Sequence, residues 1–379
     1  MTCGAASATA RTPRSESRQP RRARPFAGLL LAVLVAAPGV AVSQTPETSP
    51  PSPPTPEPTQ TPPPPARPKD DRGTLTLQFD NDMFGGTDQH FTHGMRASWL
   101  SAEGGAPDFI RNLAREFPTF TAADRMRVSY TIGQNIFTPG NIVTADPPQD
   151  DRPYAGWAYF GVGLVAENDR WLDKIELDLG IVGPYSFAED VQTGWHELIG
   201  IDVANGWDTQ LKTEPGMVLY FERSWRELRK LPVDKVIPYN DLGIDVSPHL
   251  GGALGNIFTY GAGGVTIRLG DDLPNDYGPP KIRPSLPGSD FFHPEDRIAW
   301  YIFTGFEARL VARNIFIDGN TFRSSRSAER VPIVTELQAG FAFTFSRVRL
   351  AYIQVFRSKE FEGQSGWDNF GSAALSIRF

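Results

Sequence analysis

The chain carries 37 Lys and Arg against 44 Asp and Glu over 379 residues, a formal charge of −7. It therefore has none of the basic surplus by which nucleic-acid binders neutralise phosphates. Its one cysteine, Cys3, excludes a disulfide framework and a multi-cysteine zinc site.

At the N-terminus, Arg18, Arg21, Arg22 and Arg24 precede the apolar run FAGLLLAVLVAAPGVAV, and Ala41-Val42-Ser43 offers a small-x-small cleavage pattern. This order is that of an export signal over residues 1–43; the apolar run is short for a membrane helix. Residues 44–70 are a proline-rich linker, poor in amide donors and apolar mass, and are expected to form an extended tether. The folded domain is expected over residues 71–379.

From residue 73 the dominant signal is period two. Leu75, Leu77 and Phe79 alternate with Thr74, Thr76 and Gln78, and Ile175, Leu177, Leu179 and Ile181 alternate with Lys174, Glu176, Asp178 and Gly180. Twelve such runs begin near residues 73, 91, 126, 154, 171, 211, 235, 255, 297, 331, 346 and 368. Most are near the length of a tilted membrane crossing, and their number is even, as a closed bacterial barrel requires. The last run ends on Phe379, a common ending for outer-membrane barrels, and Trp99, Tyr154, Trp157, Trp171, Trp225 and Trp300 suit interfacial girdles. The expected fold is all-β: a closed antiparallel transmembrane β-barrel of about 12 strands, in the bacterial outer membrane. A soluble all-β domain is the alternative.

If strand one rises from the periplasm, FDND and FTHG, QNIF and DDRPYAG, and IVGPYSFAEDVQTGWHELIGID all fall on one outer rim. Solvated turns would scatter such polar clusters over both rims, so the convergence marks a site. By parity Asn81 continues the lipid-facing Leu75–Leu77–Phe79 face and needs a polar partner there. In the third outer loop a short helix is expected, with Val191, Trp195 and Leu198 on an apolar face and Gln192 paired with His196 at i, i+4. Lying against the barrel, it would bring His196 towards Asn81 and Asp82. Alone, His196 reads as a helix-surface imidazole and Asp80-Asn81-Asp82 as a solvated hairpin tip.

Together, Asn81, Asp82, the Thr92 oxygen and Asp202 offer oxygen ligands without sulfur, the donor set of Ca2+ and not of zinc. A cation beside His196 at a lipid surface points to ester hydrolysis, with the imidazole as general base on water and the cation stabilising the oxyanion. No G-x-S-x-G elbow occurs. His90, His93, His249 and His293 receive no role.

FDNDMF, FTHG, QNIFTP, DRPYAGW, LGIVGPYSFAEDVQTGWHELIG and WDTQL resemble the LpxR-type lipid A 3′-O-deacylase family, over residues 73–379. The resemblance implies a twelve-stranded outer-membrane barrel that removes the 3′-linked acyloxyacyl chain of lipid A with calcium. It implies active-site roles for Asn81, Asp82 and Thr92, His196 as general base, and Gln192 nearby. Where the family often has Glu six residues after the histidine, this chain has Asp202; the family's second-loop lysine has no clear equivalent, and Arg152 is the candidate to supply positive charge for a lipid A phosphate in its stead. The protein is expected to act as a monomer on lipopolysaccharide. A non-enzymatic pore or anchor and an outer-membrane phospholipase are the competing readings.

Overall fold

The computed structural model describes residues 70–86, 90–116, 125–168, 170–225, 231–232, 242–271, 273, 278, 290, 292 and 295–379. The expected signal (1–43) and the linker up to residue 69 lie outside the described residues.

Twelve long strands follow in order: β1 (Thr74–Asn81), β2 (His90–Leu100), β3 (Arg125–Thr138), β4 (Ala155–Glu167), β5 (Trp171–Val182), β6 (Glu214–Trp225), β7 (Leu242–Gly255), β8 (Phe258–Asp271), β9 (Glu295–Asn314), β10 (Ile333–Ser346), β11 (Val348–Arg357) and β12 (Asp368–Arg378). Each pairs antiparallel with the next, β6 closes onto β7 through Leu219↔Leu254, and β1 closes onto β12 through Phe79↔Ala373. A two-residue strand, Leu231–Pro232, pairs with the start of β7. No edge is left open along the main wall, the only way a sheet can sit in lipid without unpaired backbone groups. Both ends of the domain meet at one rim, where Gly73 and Phe379 exchange backbone hydrogen bonds. We call that rim inner and the opposite one outer. Among the described residues no helix is long and apolar enough to cross a membrane.

Burial runs opposite to that of a soluble sandwich. Leu77, Met95, Ile132, Phe160, Leu179, Leu254, Ile302 and Phe341 are exposed on the outer wall, while Arg96, Arg127, Lys174, Glu176, Arg268, Glu307, Arg309, Glu336 and Arg349 are buried inside. The alternation is the same in either architecture; the inversion of polarity decides for a membrane barrel. Inside, charges are paired: Arg96 with Asp290 at 3.0 Å, Arg127 with Glu167 at 2.8 Å, Lys174 with Glu176 at 3.0 Å and Arg357 with Glu336 at 2.6 Å. At the inner rim Asp70 is flanked by Arg127 and Arg378. Burial raises its pKa, but Arg378 and then Arg127 more than offset this, so the carboxyl is held below its ordinary value.

The outer end of the lumen is packed. A helical turn after β9, α3 (Ile315–Asp318; α1 and α2 are given below), sets Phe316 face to face on Phe137 at 4.0 Å and beside Phe258 at 5.4 Å. Phe316 is fully buried, a contribution of about 2–3 kcal/mol. Arg152 joins this plug. Expected at a lipid phosphate, it is instead buried, its Nη2 2.6 Å from Glu360 Oε2 and its guanidinium over the rings of Phe137 and Phe361. The ion pair ties the loop after β3 to the loop after β11. A filled lumen also speaks against an open pore.

Burial raises the pKa of Glu360, but Arg152 and Arg357 outweigh it and hold the carboxyl at about 2. A carboxylate whose folded pKa is depressed adds stability that is present above its unfolded value of about 4.5 and lost as pH falls through the folded one. Glu360→Gln should therefore lower the thermal midpoint at pH 7. The gap from wild type should shrink between pH 5 and pH 2, read by heat-dependent gel migration. A gap unchanged across that range would refute the assignment.

One other expectation changes. Of the girdle aromatics, Trp99 is exposed and stacks on Tyr130 at 5.9 Å, but Tyr154 and Trp157 are fully buried. Trp157 stacks on Tyr159 at 5.7 Å, and both belong to the packed core. The strand expected from residue 235 is described only from Leu242. The inner connection from β2 to β3 carries α1 (Asp108–Arg115), whose Ala114 belongs to one buried cluster with Val128 of β3.

Candidate active site

The third outer loop forms α2 (Ala188–Ile199). Its N-terminal side is tethered by a bend at Gly183, with φ 89° and its N–H bonded to Gly156 O. A Cβ at Gly183 would lie 2.6 Å from Leu211 O, so only glycine allows this exit from β5. Ala188, Gln192 and His196 are the buried residues of α2, a single stripe at i, i+4, i+8 turned to the barrel wall. Beneath the helix Ala188 packs in one cluster with Ile136 of β3, Tyr154 and Trp207. Trp195 lies 5.6 Å from the ring of Phe79, which alternates with the buried Gln78 and Asp80 and is therefore on the outer wall. The helix thus lies outside the barrel, as the sequence led one to expect, packed on β3 and β4 with Trp195 reaching Phe79 of β1 and His93 of β2.

Asn81 ends β1 and Asp82 opens the turn that follows, both buried. Asn81 Oδ1 accepts from Met83 N–H at 2.8 Å and caps a 3-10 turn over Asp82–Gly85. Its oxygen being so committed, its amide nitrogen is the atom 3.4 Å from His93 Nδ1. His93 pairs directly with Asn81 across the hairpin, stands edge-on to Phe79 at 5.0 Å and lies 6.2 Å from Trp195. Asn81 and His93 are thereby brought together beside Trp195 of the helix that carries Gln192 and His196. His93 was missed because the β2–β3 register slips between Phe91 and His93. This bulge lets Phe91 pack against Phe137 at 5.5 Å in the core while His93 faces α2. Counting back from exposed Met95 in steps of two would have found it.

Thr92 sits at the bulge, its Oγ1 2.6 Å from Thr138 Oγ1. Asp202 meets the site through its main chain. His196 Nδ1 is 2.6 Å from Asp202 O, while the Asp202 side chain is exposed. A carbonyl oxygen only accepts, so Nδ1 carries the proton and a neutral His196 keeps its lone pair on Nε2. The helix end makes this contact possible: Gly200 at φ 74° and Ile201 both bond His196 O, turning the chain back over the imidazole.

Gln192 is fixed as well. Trp207 Nε1 donates to Gln192 Oε1 at 2.9 Å, and Gln192 Nε2 is buried without a partner among the described residues. Two apolar cavities adjoin the helix. One of about 980 Å³ runs down the wall by Leu77, Phe79, Met95, Ile132, Phe160 and Val191; the other, of about 550 Å³, lies between Phe79, His93, Trp195 and Leu198.

As to a metal, no three His, Cys, Asp or Glu among the described residues come close enough together to hold one. Calcium does not require such a cluster, since amide, hydroxyl, carbonyl and water oxygens complete its shell. Asp82 is a carboxylate 1% exposed, and with the amide oxygen of buried Asn81 and the hydroxyl of buried Thr92 its chemistry suits a hard cation and not zinc.

A family model described as outer membrane protein LpxR matches residues 29–379. Among solved structures, LpxR from Salmonella typhimurium is 17% identical, with a TM-score of 0.65 over 80% of this chain and 99% of that one. The β domain of the Bordetella autotransporter BrkA is 12% identical, with a TM-score of 0.38 over 82% of this chain and 100% of that one. No curated protein matches the chain.

Proposed function

The chain belongs to the LpxR family of outer membrane proteins, and on that footing we propose that it is a lipid A deacylase. In this reading it is a carboxylic ester hydrolase that removes the 3′-linked acyloxyacyl chain of lipid A in the outer leaflet, with calcium. The observation that carries it is a buried imidazole of fixed tautomer, held between a loop helix and the outside of a barrel wall, on a helix that adjoins two apolar cavities from which an acyl ester can arrive without leaving the membrane.

Neutral His196 takes a proton from water at Nε2, and the hydroxide attacks the ester carbonyl carbon. Gln192 Nε2–H donates to the carbonyl oxygen as negative charge collects there. When the C–O bond to the sugar breaks, protonated His196 returns the proton to the departing alkoxide, so no net proton is consumed in the step. Asp202 O keeps the ring from rotating and favours the imidazolium. Asp82, with the side-chain oxygens of Asn81 and Thr92, would hold calcium, which supplies Lewis-acid polarisation of the ester carbonyl. All of these groups belong to one chain, so a monomer is catalytically complete. The leader over residues 1–43 would deliver it to the outer membrane.

The test offers the purified chain in vesicles either lipid A or glycerophospholipid, with calcium, and weighs the products. Loss of the 3′ acyloxyacyl group from lipid A is the expected result. Cleavage of glycerophospholipid alone would make the protein a phospholipase, and no product from either would leave it a barrel without this chemistry.

A further inference from the structure

The WDTQL segment contributes no group to the chemistry above, yet its tryptophan touches the one side chain there whose orientation matters most. Trp207 opens a short 3-10 turn, Trp207–Thr209, and is 2% exposed. An indole N–H can only donate, so the atom of Gln192 that it meets at 2.9 Å must be the oxygen. A planar amide whose oxygen is held has its NH2 aimed the other way. That NH2 is buried in the stripe it shares with His196, without an acceptor among the described residues. A buried amide left so is costly unless something arrives to accept from it.

The indole is itself braced. Its ring lies 4.9 Å from that of Tyr154, whose hydroxyl donates to Ile142 O at 3.0 Å. The preceding Gly206 is forced by the same contact, because a Cβ there would sit 2.4 Å from the Tyr154 ring. The DRPYAG segment of the second outer loop thus steadies the tryptophan of the third.

Resting on the deacylase reading, we propose that Trp207 is a positioning residue: its indole N–H holds the Gln192 amide with Nε2–H turned to the reacting ester oxygen. Without it the amide is free to flip and present oxygen to developing negative charge.

The test is a double-mutant cycle with Trp207→Phe and Gln192→Leu, on full-length barrels whose folding is checked by heat-dependent gel migration. Trp207→Phe should lower kcat about 10–100-fold with KM within about twofold. In the Gln192→Leu background it should cost nothing more. An unchanged kcat, or an equal loss in both backgrounds, overturns the proposal. A second readout does not depend on turnover or on folding of the Phe variant. In detergent-held wild type labelled with 15N-tryptophan, the Trp207 indole proton should exchange slowly with solvent. In Gln192→Leu it should shift and exchange faster; a signal that ignores Gln192→Leu also overturns it. If wild type leaves lipid A intact while the indole signal responds to Gln192→Leu, the contact stands and the deacylase reading falls.

Discussion

His196→Ala will lower lipid A deacylation by about 10²–10⁴-fold while leaving a folded, heat-modifiable barrel, because only the group that takes the proton from water is lost. The side chain makes its described hydrogen bond to the Asp202 carbonyl, near the end of a loop helix and not in the wall, so closure of the barrel does not depend on it. The measurement is the mass spectrum of lipid A from cells expressing either form, with initial rates from purified protein. A variant retaining more than a tenth of wild-type turnover would remove His196 from the chemistry.

Calcium withdrawal should have an effect of similar size and should converge on one residue. Losing Lewis-acid polarisation of a carbonyl forfeits several kcal/mol, roughly 10³-fold in rate. Chelation of wild type should therefore nearly abolish turnover, and calcium should restore it. Zinc should not, since the site has no sulfur and its proposed ligands are hard oxygens. Asp82→Ala should match the chelated wild type, and chelator added to Asp82→Ala should do nothing further. Additive losses would mean that Asp82 and the cation act separately. Activity indifferent to chelator would remove the metal from the account while leaving His196 and Gln192 in place.

The site was partly legible beforehand. That β1, β2 and the α2 loop converge on one rim follows from counting strands, and the i, i+4 pair Gln192 and His196 follows from helical spacing; both are local arithmetic. Asn81's outward face followed from parity with Leu77 and Phe79. His93 was passed over because a one-residue bulge resets parity without changing composition. Asp202 was considered for its carboxylate, whereas its contact with His196 is through a carbonyl, a group every residue carries and no sequence advertises. Arg152 is the sequence's nearest substitute for the family's second-loop lysine, and nothing local shows that it is instead buried against Glu360, 208 positions away.

By itself, then, the sequence determined a closed barrel with its polar clusters on one rim, since period-two patterning and strand number belong to each segment independently. Tertiary structure alone decided that charges fill the inside and that Phe316 and Arg152 plug its end. It also decided that the His196 proton sits on Nδ1 and that Trp207 sets the Gln192 amide. Each of these depends on register, a cap or a contact between distant loops, and such contacts exist only once the whole wall has closed.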